Sequence, residues 1–93
     1  MIRSFKHKGL KAFFEKGAGA GLNPKMLGKI RRVLARLDAA TDKKDLEYPA
    51  AQGLHQLKGN LKGYFAVAVT GNRRIIFKFK DGDIYDVNLI DYH

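Results

Sequence analysis

The chain has no cysteine, no tryptophan and a single serine, and its nine acidic residues are half as many as its eighteen basic ones. Without cysteine there are no disulfides, no thiolate zinc sites and no cysteine nucleophile, and the expected compartment is the cytoplasm. With Ser4 as the sole serine and no Gly-x-Ser-x-Gly, serine hydrolysis finds no support. Long hydrophobic runs are missing too. The longest, Phe65 to Val69 and Ile75 to Phe77, are too short to cross a bilayer. Met1 to Leu10 is basic but is not followed by the apolar segment of a signal peptide. Neither Gly-x-x-x-x-Gly-Lys nor Gly-x-Gly-x-x-Gly occurs, which argues against a nucleotide-binding loop. His7, His55 and His93 have no metal-ligand spacing, so neither a metal nor a cofactor is expected.

What is present fits one small domain. The 93 residues leave room for a single core, and 45% of them are hydrophobic, enough for a globular interior. The net charge is +9, and it is uneven: Met1 to Arg36 carries ten basic residues and one acidic one, Glu15. Such a field attracts polyanions and makes binding to phosphate backbones salt-dependent. A solvated helix face explains the charge equally well, so charge alone does not decide for nucleic acid.

The order of elements is readable. Ile2 to Phe5 is expected as a short opening strand. His7 to Lys16 places Leu10, Phe13 and Phe14 at helical spacing and ends at Gly17, a C-cap residue. A glycine-rich loop follows to Leu22. Asn23-Pro24 then starts a second helix, with Leu27, Ile30, Leu34 and Leu37 at spacings of three and four, running to about Ala40. Its other face carries Lys25, Lys29, Arg32 and Arg36. Thr41 to Gln52, with Pro49, reads as an irregular connection. Strands are expected at Leu54 to Leu57, Gly63 to Thr70, Arg73 to Lys80 and Asp83 to Ile90, with turns at Gly71-Asn72 and Asp81-Gly82. Helices first and strands after predict an α+β fold, with two helices on one face of a mainly antiparallel sheet.

Phosphodiester cleavage without a metal is a chemistry these residues can perform. RNA supplies its own nucleophile, the 2′-hydroxyl beside the scissile phosphate. A base must take that proton, an acid must protonate the leaving 5′-oxygen, and cations must offset the charge that develops on phosphorus. His55, Asp91, Tyr92 and His93 are candidates for proton transfer, and Lys58 and Arg74 for the cations. An unperturbed imidazole titrates near neutrality and can act in either direction. Each residue also has a plain structural reading: a surface histidine, solvated charges, and a chain end held only by the strand before it.

Several blocks in order resemble one family. Met1 to Lys11, Phe14-Glu15-Lys16-Gly17, Leu54-His55-Gln56-Leu57-Lys58-Gly59, Gly63-Tyr64-Phe65, Asn72-Arg73-Arg74-Ile75, Phe77-x-Phe79, Gly82-Asp83 and Asp91-Tyr92-His93 together look like the HigB toxins of bacterial toxin–antitoxin pairs, over the whole chain. The resemblance implies a RelE-like microbial ribonuclease fold and cleavage of messenger RNA codons in the ribosomal A site. His55, Asp91, Tyr92 and His93 would be the catalytic set, Arg74 would stabilise the transition state and Lys58 would contact phosphate. Proton transfer would fall to His93 or Asp91, with His55 positioning or sharing it, and Tyr92 would stack on a codon base. The helical Lys25, Lys29, Arg32 and Arg36 would meet ribosomal RNA. The implied partner is a HigA-like helix-turn-helix antitoxin, and free RNA is expected to be a poor substrate.

The chain also departs from that pattern. The family commonly has Trp-Arg where this chain has Arg73-Arg74, and Trp where it has Phe65, while Asn60-Leu61-Lys62 is looser than usual. Two other readings share the fold: a ParE-like inhibitor of DNA gyrase, and a catalytically inactive module that still binds its antitoxin. The presence of both His55 and His93 speaks against the first, and the filling of every candidate catalytic position against the second.

Overall fold

The computed structural model describes residues 1–46 and 55–91, with the backbone alone at His55. Helix α1 spans Lys8–Lys16. His7 caps it, its Nδ1 accepting from the Leu10 N–H at 3.1 Å, and Gly17 closes it in the left-handed conformation, φ 72°, donating to the Phe13 carbonyl. Leu10 and Phe13 are the residues α1 buries. The second helical segment starts at the expected Asn23, whose side chain accepts from Lys25 N–H at 3.0 Å, but its first turn, Pro24–Met26, is a 3-10 helix. Helix α2 proper spans Leu27–Ala39 and buries Ile30, Val33, Leu34 and Leu37. Four such side chains at roughly 1.5–3 kcal/mol each outweigh a cap, so packing decides that α2 forms. Val33 was not in the expected stripe; it widens the apolar face to the breadth a core-facing helix needs.

A short 3-10 turn, Lys43–Leu46, follows. The Asp45 carboxylate starts it by accepting from the Thr41 and Asp42 N–H groups. The Pro49 connection and Leu54 lie outside the described residues.

The sheet has four strands in sequential order, all antiparallel: β1 His55–Gln56, β2 Phe65–Ala68, β3 Arg73–Lys80 and β4 Asp83–Asp91. A 3-10 turn, Gly59–Leu61, lies between β1 and β2. Asp81 and Gly82 both have positive φ, 51° and 83°, which is the type I′ geometry that two-residue hairpins favour. The other expected turn is longer: β2 stops at Ala68, and the loop before Arg73 is tied by Thr70, whose Oγ1 accepts from Arg73 N–H. In β4 the register shifts by one residue at a bulge, where Asp86 takes φ 55°.

The expected opening strand is instead two isolated parallel bridges to β4, Ile2 with Ile84 and Phe5 with Val87. The bulge explains the interruption. Asp86 turns out of the ladder, and its N–H donates to the Ser4 hydroxyl at 2.9 Å rather than to a backbone carbonyl. Ile75, Phe77, Ile84, Val87 and Leu89 join the buried residues of both helices in one core. The result is the expected α+β arrangement, with the helices on one face of the sheet. Among the described residues, no helix is long and apolar enough to cross a membrane.

Candidate active site

The other face of the sheet carries Arg74 and the strand position of His55. Strand register places position 55 opposite Ala66, Ala66 opposite Ile76, and Ile76 opposite Asn88, so these positions form one row across four strands. The next row toward the β2–β3 loop is Ala68, Arg74 and Ile90. Position 55 and Arg74 therefore share a face, about 12 Å apart at Cα by strand spacing and rise. A small apolar floor of Tyr64, Ala66 and Ile76, edged by Leu57, Leu61 and Ile90, lies on this face.

Arg74 is half-buried and directed. Its Nη1 donates to the Thr70 carbonyl at 2.7 Å and to the Gly71 and Arg73 carbonyls at 3.2 Å. A guanidinium anchored through Nη1 loses less freedom when it meets a phosphate, which suits it to a preorganised cation. Lys58 is exposed and stands between the end of β1 and the Gly59–Leu61 turn.

Asp91 is placed differently. It lies opposite Arg73 at the end of the β3–β4 ladder, and Arg73 Nε reaches its Oδ1 at 2.6 Å. Strand alternation puts this pair on the face of Ile75 and Leu89, not on that of Arg74. Tyr92, His93 and the side chain of His55 lie outside the described residues.

The helical cations are also apart from Arg74. Lys25 and Arg32 are exposed, and Lys29 and Arg36 half-buried, along the segment that packs on the opposite side of the sheet. Arg31, which the sequence pattern did not single out, sits over the Phe13 ring at 5.4 Å from its centroid.

A second cationic group was not foreseen. Lys6 and Lys78 converge on the Tyr64 ring, at 5.4 and 4.9 Å from its centroid. Asp86 stands beside them, 3.7 Å from the Lys78 ammonium. Interaction with the Tyr64 hydroxyl, by hydrogen bonding and then by charge, raises the Lys6 pKa; slight desolvation opposes this and Asp86 adds to it. No periodicity could have signalled the group, because it joins three segments distant in sequence. Among the described residues, no cluster of three or more His, Asp or Glu side chains could hold a metal ion.

Comparison with known proteins bears on the family and the fold. The family model for HigB-like toxins, described as RelE-like toxin of type II toxin–antitoxin system HigB, matches residues 3–93. Endoribonuclease HigB of Proteus vulgaris is 44% identical over 93 residues, covering 100% of both chains. Toxin HigB-1 of Vibrio cholerae is 36% identical over 83 residues, covering 88% of this chain and 87% of that protein. A chain of the YoeB–YefM complex from Staphylococcus aureus matches in structure with a TM-score of 0.57 and 24% identity, covering 100% of this chain and 95% of its own. The YoeB dimer from the same organism gives 0.54 at 23% identity, covering 99% and 94%. At those identities the two structures speak for the fold alone.

Proposed function

This chain belongs to the HigB-like toxins, the RelE-like toxins of type II toxin–antitoxin systems, and on that premise we propose that it is an endoribonuclease cutting messenger RNA codons in the ribosomal A site. The observation that carries the reading is the shared sheet face of position 55 and Arg74, in a chain 44% identical to an endoribonuclease over its full length. A strand of RNA laid on that face meets an imidazole-bearing position and an anchored guanidinium together.

The reaction follows from the substrate. The 2′-hydroxyl gives up its proton and attacks the adjacent phosphorus, the bond to the 5′-oxygen breaks, and that oxygen takes a proton as it leaves. Products are a 2′,3′-cyclic phosphate and a 5′-hydroxyl, with no metal or cofactor in the scheme. Arg74 and Lys58 offset the charge on the equatorial oxygens. His55 and His93 carry the two proton transfers, and Tyr92 stacks on a base of the codon. Asp91 acts by holding the residues that follow it, because its Oδ1 already accepts from Arg73.

The helical face of Lys25, Lys29, Arg32 and Arg36 meets ribosomal RNA while the messenger lies on the other side of the sheet. A toxin of this family has an antitoxin as partner; here it is a HigA-like helix-turn-helix protein, and the two act in the cytoplasm. Toeprinting on translating ribosomes tests the reading. Wild type is expected to cut within the A-site codon, and His55→Ala and His93→Gln to leave the message whole. Intact messages with wild type, together with lost DNA supercoiling, would move the chain to the gyrase inhibitors.

A further inference from the structure

We propose that Lys6 and Lys78, gathered over Tyr64, form a second phosphate site that grips the messenger strand away from the scissile bond. The proposal rests on the messenger-cleaving reading, which places the RNA on this face of the sheet.

Lys78 lies four residues along β3 from Arg74, and strand alternation gives both the same face. Their Cα separation is roughly 13 Å by strand rise, too far for one phosphate and suited to two on one strand. The row containing position 55 crosses between them. RNA anchored at Arg74 and passing that row arrives at Lys78.

Lys6 comes from the other side. The opening segment is hydrogen-bonded along β4, Lys6 N–H donating to Val87 at 2.8 Å, and its side chain reaches back to the ring that Lys78 also covers. Two ammonium groups converge where one carboxylate, Asp86, faces them, and that carboxylate also accepts from Ser4. The cluster keeps a net positive charge. Lys6 is exposed and, like any lysine whose pKa burial has not pushed down, is charged at neutral pH.

The chemistry selects a phosphate over a base. Tyr64 is only 5% exposed. It is a floor beneath the lysines, with no open face for a base to stack on. Ammonium groups act as point charges and suit a backbone oxygen in any sequence context.

The test uses methionine, which keeps an apolar chain over the ring and removes the charge. Lys6→Met, Lys78→Met and the double variant are compared with Lys16→Met, on the last turn of α1. The probe is a short single-stranded RNA with 2′-O-methyl riboses, followed by fluorescence anisotropy across a salt series. The double variant is expected to lower the salt slope of binding by about 0.7, the change for one phosphate no longer neutralised, while Lys16→Met leaves it unchanged. On ribosomes its KM for cleavage rises and kcat is retained, with the same codons cut. Each single variant carries part of the effect, so the result does not depend on the double variant folding.

A slope and KM indistinguishable from those of Lys16→Met overturn the site. A defect confined to association with ribosomes lacking messenger, with oligonucleotide binding intact, assigns the lysines to ribosomal RNA and overturns the messenger grip. If wild type cuts no message but the variants still lower the RNA slope, the phosphate site stands and the endoribonuclease reading falls.

Discussion

Arg73 and Asp91 face each other across the last described pair of the β3–β4 ladder, Nε and Oδ1 2.6 Å apart and both side chains more than two-fifths exposed. So exposed a pair contributes little to stability, about 0.5 kcal/mol, and less as salt rises. In the proposed mechanism its use is to fix the end of β4, from which the chain continues to Tyr92 and His93. Arg73→Gln is expected to lower Tm by about 2–4 °C, yet to cut ribosome-dependent cleavage roughly ten- to a hundredfold through misplacement. Asp91→Asn should lose a similar amount. A loss in Asp91→Asn far beyond that of Arg73→Gln means Asp91 itself moves the proton.

Gly82 has φ 83°, and a Cβ there would meet the Thr41 carbonyl oxygen at 3.2 Å. Gly82→Ala should therefore destabilise the fold by about 1–2 kcal/mol, roughly 4–16 °C in Tm. Scanning calorimetry is the check. An unchanged Tm would mean the turn relaxes into another type.

His7 serves α1 as an acceptor through Nδ1, at 3.1 Å from Leu10 N. Loss of the cap in His7→Ala is expected to cost about 1 kcal/mol, and His7→Asn to restore most of it. Urea midpoints of the three proteins decide the matter. Equal midpoints for alanine and asparagine would leave the cap without energetic weight.

Asp45 accepts from the Thr41 and Asp42 N–H groups, and these bonds hold its pKa below the usual 3.8. The charged form is the one the fold favours. Its contribution is complete above that unfolded value and is lost as pH falls through the lower folded one. Wild type should thus lose stability on acidification below pH 3.8 more steeply than Asp45→Asn. Parallel stability curves for the two proteins would remove Asp45 from the acid transition.

The helices and the long hairpin were readable because their signals are local. His7 and Gly17 bound α1, Asn23-Pro24 opens the second helical segment, and Asp81-Gly82 sets the one turn whose type both residues demand. Arg73–Lys80 appears with the limits its composition suggested. Arg74 alternates with Ile75 and Phe77, so its place away from the helices was implicit in the pattern. The Arg73–Asp91 pair was not. Counting back from the turn sets Arg73 opposite Ile90, and only the extra residue at Asp86 brings Asp91 across. A trace of that bulge does exist in the sequence: the buried positions of β4 change parity between Ile84 and Val87. The gathering of Lys6, Tyr64 and Lys78 left no such trace, since it depends on three segments meeting.

The opening segment is tied to β4 by five backbone hydrogen bonds, from Ile84 to Met1, Arg3 to Ile84, Val87 to Ser4, and from both Lys6 and His7 to Val87. Ser4 and Asp86 are 82 residues apart in the chain. A chain made at ~5–20 residues per second waits roughly 4–16 s between those two residues. Throughout that interval the opening segment has Asp38 and Phe14 to touch but lacks its strand partner. The core between α1 and β4 stays open, and Lys6 has no tyrosine floor shared with Lys78 until β3 and β4 have formed. The fold is therefore completed only when the opening segment and β4 meet, and before that it holds neither its finished core nor its second phosphate grip.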